Sequence, residues 1–300
     1  MFNPWLGDRK MSAFRTIGRK GSVTGGLLET HDGAHLYLEQ AGEGHAVLLV
    51  HGWTMSGRFW SRQIEPLARE FNVVTVDLRG HGNSSKVLHG HTIVQYAEDL
   101  RRVVDSLHLQ DVTLVGWSLA GPVLLEYWDR YGGQGVSALC LVEMTPFPFA
   151  HEKWNTHRLA NYQLRGMNEA LNNLQADRVG FGRQFIDSMF LAGKAPENDM
   201  KWMLTEHLAT PTPIAVAIYS DYLMRDYSQS LHGISVPVLV ANGNSSHICF
   251  GPETGRHVAD TIPGGRLEIF EESGHMPFYE APERFNDALL AWLKQSVDRR

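Results

Sequence analysis

The run Val112-Thr113-Leu114-Val115-Gly116-Trp117-Ser118-Leu119-Ala120-Gly121 is short, apolar and β-branched, and it breaks on small residues around a serine. The pattern reads as a nucleophile elbow, in which a strand turns sharply into a helix and lifts one hydroxyl above a sheet. The helix amino terminus beneath that hydroxyl offers free N–H groups and positive dipole to developing negative charge. Small residues at Gly116, Ala120 and Gly121 suit the close crossing of strand and helix. Ala120 stands where the commonest form of the motif has glycine, and a methyl group is the least that could be added.

A serine hydroxyl is a weak nucleophile at neutral pH, so Ser118 needs a base within reach and a third group to orient that base. His275 is the candidate base. It lies in Ser273-Gly274-His275-Met276-Pro277, directly after the last expected strand. Loops at the carboxyl ends of parallel strands converge on a ligand crevice. A second glycine-flanked histidine, in Val50-His51-Gly52-Trp53, opens a loop able to curl over the elbow. The expected contribution there is main chain, with the amides of Trp53 and Leu119 forming an oxyanion hole for the charge that appears when Ser118 attacks a carbonyl.

Short, continuous, β-branched runs at 35–40, 46–50, 73–76, 112–116, 139–143, 238–241 and 267–270 predict strands buried on both faces. Helical periods at 59–70, 94–107, 119–130, 252–260 and 282–295 alternate with them. Strand and helix in this alternation predict a mostly parallel, doubly wound α/β sheet. The alternation stops between 146 and 232, where large apolar residues sit on helical segments, and a helical cap is expected there. The core is then 23–145 and 233–300. Within and beside this cap, Trp154, Phe185, Met189 and Tyr219 are candidates for a substrate pocket, with His51 and Trp117 from the core. Packing within the insertion is the competing reading for each cap residue.

Residues 1–22 carry Arg9, Lys10, Arg15, Arg19 and Lys20 with little periodicity and read as a basic arm outside the core. Over 300 residues the composition is 43% hydrophobic and 20% charged, which is ordinary for a soluble globular protein. A net charge of −6 argues against an obligate nucleic-acid or anionic-membrane partner, since either would want a basic face. A small uncharged molecule is the expected partner. No apolar run is long enough for a spanning helix, and the amino terminus lacks the apolar core of a secretory signal, so a cytoplasmic location is expected. Cys140 and Cys249 read as two buried thiols.

His51-Gly52-Trp53, Asp77-Leu78-Arg79-Gly80-His81-Gly82-Asn83-Ser84, Gly116-Trp117-Ser118-Leu119-Ala120-Gly121 and Ser273-Gly274-His275 together resemble the α/β-hydrolase superfamily. The resemblance runs from about Leu27 to Leu293. It is nearest to the small bacterial esterase, lactonase and non-haem chloroperoxidase-like branch, in which a helical cap interrupts the core after the sixth strand. In such relatives the Asp77 to Ser84 stretch is a structural loop. The family pattern also places an acid a few positions after the seventh strand, but Ala241-Asn242-Gly243-Asn244-Ser245-Ser246 contains no carboxylate, and Ser246 occupies the expected position.

The alternative acid is Glu143, closing the strand that ends Cys140-Leu141-Val142-Glu143. Some members of the superfamily, including lactone hydrolases, take their acid from that strand end. A purely structural carboxylate at Glu143 is the competing reading. Serine at the elbow argues against dehalogenase or epoxide-hydrolase chemistry, which needs aspartate there. His89-Gly90-His91 and His247-Ile248-Cys249 lack a complementary pair at zinc-ligand spacing, and no phosphate or dinucleotide fingerprint is present. The expectation is a hydrolase of a small apolar ester or lactone, with no metal and no cofactor. The rivals are perhydrolysis or cofactor-free oxygen chemistry on the same scaffold, and a ligand-binding member without turnover.

Overall fold

The computed structural model describes residues 14–20, 23–160, 164–249 and 251–297, with backbone alone at 14–20 and 164. Its strands are β1 (Phe14–Lys20), β2 (Val23–Glu29), β3 (His35–Ala41), β4 (Ala46–Val50), β5 (Asn72–Asp77), β6 (Val112–Trp117), β7 (Val136–Val142), β8 (Val238–Gly243) and β9 (Arg266–Phe270). They form one sheet in the order β1-β2-β3-β5-β4-β6-β7-β8-β9. From β5 across to β9 every pairing is parallel, and β1, β2 and β3 add antiparallel strands at one side.

Alternate residues of the buried strands serve two apolar clusters. On β4, Leu48 and Val50 join one cluster while Val47 and Leu49 join the other; on β7, Leu139 and Leu141 face one and Cys140 and Val142 the other. A sheet covered on both faces needs apolar side chains on both, which is why these strands read as continuous rather than alternating. The first cluster packs under α2 (Ile93–Ser106) and α3 (Ala120–Tyr131), and the second under α1 (Ser61–Ala68).

Between β7 and β8 the chain leaves the sheet for α4 (Leu164–Ala176), α5 (Arg178–Met189), α6 (Glu197–Ala209) and α7 (Thr212–Leu223). Three elements complete the core: α8 (Glu253–Thr261), α9 (Pro277–Glu280) and α10 (Pro282–Val297). Parallel strands need crossover helices, and the direction of crossover changes at β4, which has β5 on one side and β6 on the other. That reversal opens a crevice beyond the carboxyl ends of β4 and β6.

All seven expected strands occur, as β3 to β9, with ends displaced by at most three residues. Two strands escaped the sequence reading. β2 contains Gly25 and Gly26 at its centre, which hides the alternation, although Leu28 is fully buried. β1 corrects the expectation of an arm outside the core at 14–20, because this basic segment pairs antiparallel with β2 as the edge strand. The rest of that expected arm, 1–13 and 21–22, lies outside the described residues. The helical insertion follows the seventh strand here rather than the sixth, because β1 adds one to the count.

Candidate active site

Ser118 follows β6 directly and has a φ of 56°, a left-handed conformation that costs a non-glycine residue about 1–3 kcal/mol. The surroundings hold it there. Its amide donates to the Val142 carbonyl at 2.9 Å, and its carbonyl accepts from the Gly121 amide at 2.8 Å. A Cβ at Gly116 would stand 2.7 Å from Leu124 Cδ1, and one at Gly121 would stand 2.6 Å from Met144 Cβ, so both positions require glycine. From Val112 to Ala120 every residue is buried except Ser118, which reaches the crevice.

His275 lies in the loop between β9 and α9, and its backbone is fixed at both polar atoms. Its carbonyl accepts from Trp117 Nε1 at 2.8 Å, so the elbow itself ties down the histidine loop. Its amide donates to the Met189 carbonyl at 2.7 Å, at the end of α5. Glu280 braces the same region, accepting from the Gly274 amide at 2.7 Å and the Leu191 amide at 2.9 Å.

Glu143 is the first residue after β7 and also has a positive φ, 43°. One carboxylate oxygen, Oε1, accepts from the Gly243 amide at 2.6 Å, and Oε2 lies 3.1 Å from His275 Nδ1. Both side chains are only 3% exposed, so this pair is shielded from water. The Cys249 thiol also hydrogen-bonds Glu143, and burial pushes that thiol up so that it keeps its proton. A carboxylate can only accept, so His275 Nδ1 is the donor in this contact. Ser118 and His275 line the same cavity.

Ser246, at the position where the resemblance expects the acid, is turned to another task. Its Oγ accepts from the amides of Ile248 at 3.1 Å and Cys249 at 3.0 Å, closing a local turn.

Trp53 and Leu119 both line the cavity, and among the described residues neither amide donates to a backbone acceptor outside helices and strands. The loop carrying Trp53 is pinned from the insertion. Thr54, at φ 57°, donates its hydroxyl proton to the Trp53 carbonyl at 2.7 Å and lies 2.7 Å from His207 Nδ1 on α6. With that hydroxyl proton committed, His207 Nδ1 must donate, leaving Nε2 to accept from Arg178 Nη1 on α5. Burial and the Arg178 charge push His207 down to about 2, so it is neutral.

The cavity lies between Trp53, Ser118, Leu119, His157, Arg158, Phe185, Tyr219, Tyr222, Ile248 and His275. Phe185 and Tyr219 are where the sequence reading expected them. Four other expected pocket residues are not in the lining. His51 is fully buried, its Nδ1 donating to the Gly52 carbonyl and its Nε2 accepting the Leu78 amide, and burial pushes it down to about 4. Trp117 packs between Phe59 and Phe278 behind the elbow. Trp154 stacks on His257 at 4.1 Å, and the Met189 side chain is fully buried in the core. Each satisfies a packing need at the periphery of the site.

His157, Arg158, Tyr222 and Ile248 were not singled out for the pocket. Tyr222 carried a legible signal, since it lies three residues beyond Tyr219 on α7 and shares its face. The other three come from irregular segments that meet at the isolated bridge between His157 and Cys249 and at the Thr156 and Thr254 hydrogen bonds beside it. The Asp77 to Ser84 stretch is structural, as expected. Asp77 accepts from the Gly57 and Asn83 amides, and Arg79 is buried against Asp32 and Asp99. Among the described residues no helix is long and apolar enough to cross a membrane.

A sequence model of the alpha/beta hydrolase fold matches residues 45–282. The chain is 28% identical over 282 residues to the non-heme chloroperoxidase CPO-A1 of Kitasatospora aureofaciens, covering 90% of this chain and 99% of that one. It is 26% identical over 279 residues to the bifunctional esterase/perhydrolase DCH of Acinetobacter calcoaceticus, with 90% and 99% covered. Among solved structures it is similar to the esterase EaEST from Exiguobacterium antarcticum, with a TM-score of 0.81, 27% identity and coverage of 89% and 98%. With the matched region spanning the parallel strands β4 to β9, the elbow and the histidine loop, this chain belongs to the alpha/beta hydrolase fold family.

Proposed function

We propose that this protein is a cofactor-free serine hydrolase that cleaves a carboxylic ester or lactone with an apolar portion. The observation that carries this reading is the contact between Glu143 Oε2 and His275 Nδ1 beside a cavity that also exposes Ser118. His275 Nε2 takes the Ser118 proton as Oγ attacks the carbonyl carbon. The amides of Trp53 and Leu119 receive the oxyanion, and Glu143 stabilises the imidazolium. The imidazolium then protonates the departing alkoxide, leaving an acyl group on Ser118. Water, deprotonated by the same nitrogen, releases the acid and restores the hydroxyl. Phe185, Tyr219, Tyr222 and Ile248 provide an apolar wall for the substrate.

The similarity to a chloroperoxidase and to an esterase/perhydrolase favours a second use of the same acyl-enzyme. Hydrogen peroxide in place of water would take the acyl group from Ser118 and leave as a peracid. The test of the main reading is labelling with a fluorophosphonate probe followed by peptide mass spectrometry. An adduct on Ser118 that is lost in Ser118→Ala is expected, and an unlabelled wild-type protein contradicts it. Adding peroxide to an ester assay and trapping peracid tests the second.

A further inference from the structure

Arg158 places a positive charge in the wall of a cavity that is otherwise mostly apolar. It lines the cavity, and its guanidinium carbon lies 5.8 Å from the ring centre of Phe185, another wall residue. The charge reaches neighbours on several sides. Burial is the main cause of the shifts at His157, Tyr222 and Cys249, and the Arg158 charge contributes to all three.

This guanidinium has no anionic partner among the described residues. Most other described arginines meet carboxylates or carbonyls, as Arg79 meets Asp32 and Asp99 and Arg225 meets Asp221. Arg183 and Arg256, which form no ion pair among the described residues either, are exposed and therefore hydrated. Arg158 is half-buried against the Phe185 ring. A cation in that setting retains donors and charge that a ligand can satisfy, and a planar guanidinium fits a carboxylate with two parallel hydrogen bonds. The main chain is fixed where such a grip needs it, since the Arg158 amide donates to the Ile248 carbonyl at 2.8 Å.

We propose that Arg158 is a specificity residue that binds an anionic group, a carboxylate, on the substrate, so that the preferred substrate is the ester or lactone of a molecule that keeps a second, free carboxylate. This rests on the serine-hydrolase reading of the site and narrows it. The ester carbonyl sits at Ser118, the linker lies along Phe185 and Tyr219, and the free carboxylate meets the guanidinium.

The test compares p-nitrophenyl esters with one leaving group, the hemisuccinate and hemiglutarate against the neutral butyrate and valerate. Wild type is expected to favour an anionic ester by at least tenfold in kcat/KM, with the preference shrinking as salt is raised. Arg158→Met is expected to erase that ratio and Arg158→Lys to keep part of it. A purely structural role would lower both kinds of ester together and leave the ratio in place. A wild-type ratio at or below one, or a ratio unchanged in Arg158→Met, overturns the inference while Ser118-dependent hydrolysis still supports the hydrolase reading. Calorimetry with the anionic p-nitroanilide of glutarate and the Ser118→Ala protein gives a readout that needs no turnover. Binding that Arg158→Met abolishes is expected, and no binding overturns the inference even if no ester is cleaved.

Discussion

Glu143 reaches His275 Nδ1 at 3.1 Å from the end of β7, across the strand end of β8, whose Gly243 amide holds its other oxygen at 2.6 Å. This carboxylate therefore reaches the histidine from the strand before the one after which the family pattern places its acid. Glu143 itself takes a left-handed backbone conformation, with a φ of 43°, where the chain leaves β7.

Ser246 separates position from role. Since its Oγ accepts two amides and no histidine, Ser246→Ala should hydrolyse esters at the wild-type level. It should lose about 1–3 kcal/mol of stability, because two buried N–H groups are left with a poorer partner. Steady-state kinetics beside urea unfolding checks both halves. A large fall in kcat without loss of stability would return Ser246 to the triad.

The loop proposed to bind the oxyanion is tied to the insertion through the Thr54 and His207 contact of 2.7 Å. Thr54→Val keeps the shape and removes the hydroxyl, so the Trp53 carbonyl loses its hydrogen bond and the loop its tie to His207. Small displacements in an active site cost up to about 100-fold in rate, so kcat should fall by roughly 10- to 100-fold with little change in KM. His207→Ala should act in the same direction, and the double variant should be no worse than the sum. An unchanged kcat in Thr54→Val contradicts the bracing role.

Acid should weaken the fold from near neutrality downward. Burial pushes His51 from 6.5 to about 4, and burial with the Arg178 charge pushes His207 from 6.5 to about 2, so both stay neutral in the folded protein while the unfolded chain takes up protons below 6.5. Stability from these groups is complete above pH 6.5 and declines as pH falls, by roughly 2 kcal/mol per histidine at pH 5. Asp77 works the other way. Burial raises it from 3.8 to about 6, so its protonation favours the folded state as pH falls through that window and offsets part of the loss. A lower Tm at pH 5 than at pH 7 is expected, with a shallower drop in His51→Asn. An equal or higher Tm at pH 5 would contradict the balance.

Much of the scaffold was legible because burial leaves a direct mark on sequence. β4, β6, β7 and β8 are continuous apolar runs, and the glycines at 116 and 121 record a crossing too close for any side chain. Ser118 and His275 could be read for the same reason, each standing just beyond such a strand with small neighbours. Glu143 was legible as a carboxylate ending an apolar strand. Pocket walls were harder. Trp117 and His51 are as large and polar-tipped as residues that meet ligands, but their polar atoms are consumed by the His275 carbonyl and the Leu78 amide. Arg158 and Ile248 approach the crevice through irregular chain joined by long-range contacts, a juxtaposition that no periodicity encodes. β2 was hidden by its two glycines, and β1 by charges that an edge strand tolerates.

The central claim is that Glu143 is the acid of a Ser118, His275 and Glu143 triad. Its most direct test is kcat for a p-nitrophenyl ester in Glu143→Gln, with circular dichroism to verify folding and Ser118→Ala as the inactive reference. The amide can donate to Nδ1 and so favours the tautomer that blocks Nε2, and a loss on the order of 10⁴ in kcat is predicted. A folded Glu143→Gln protein within tenfold of wild type would contradict the account.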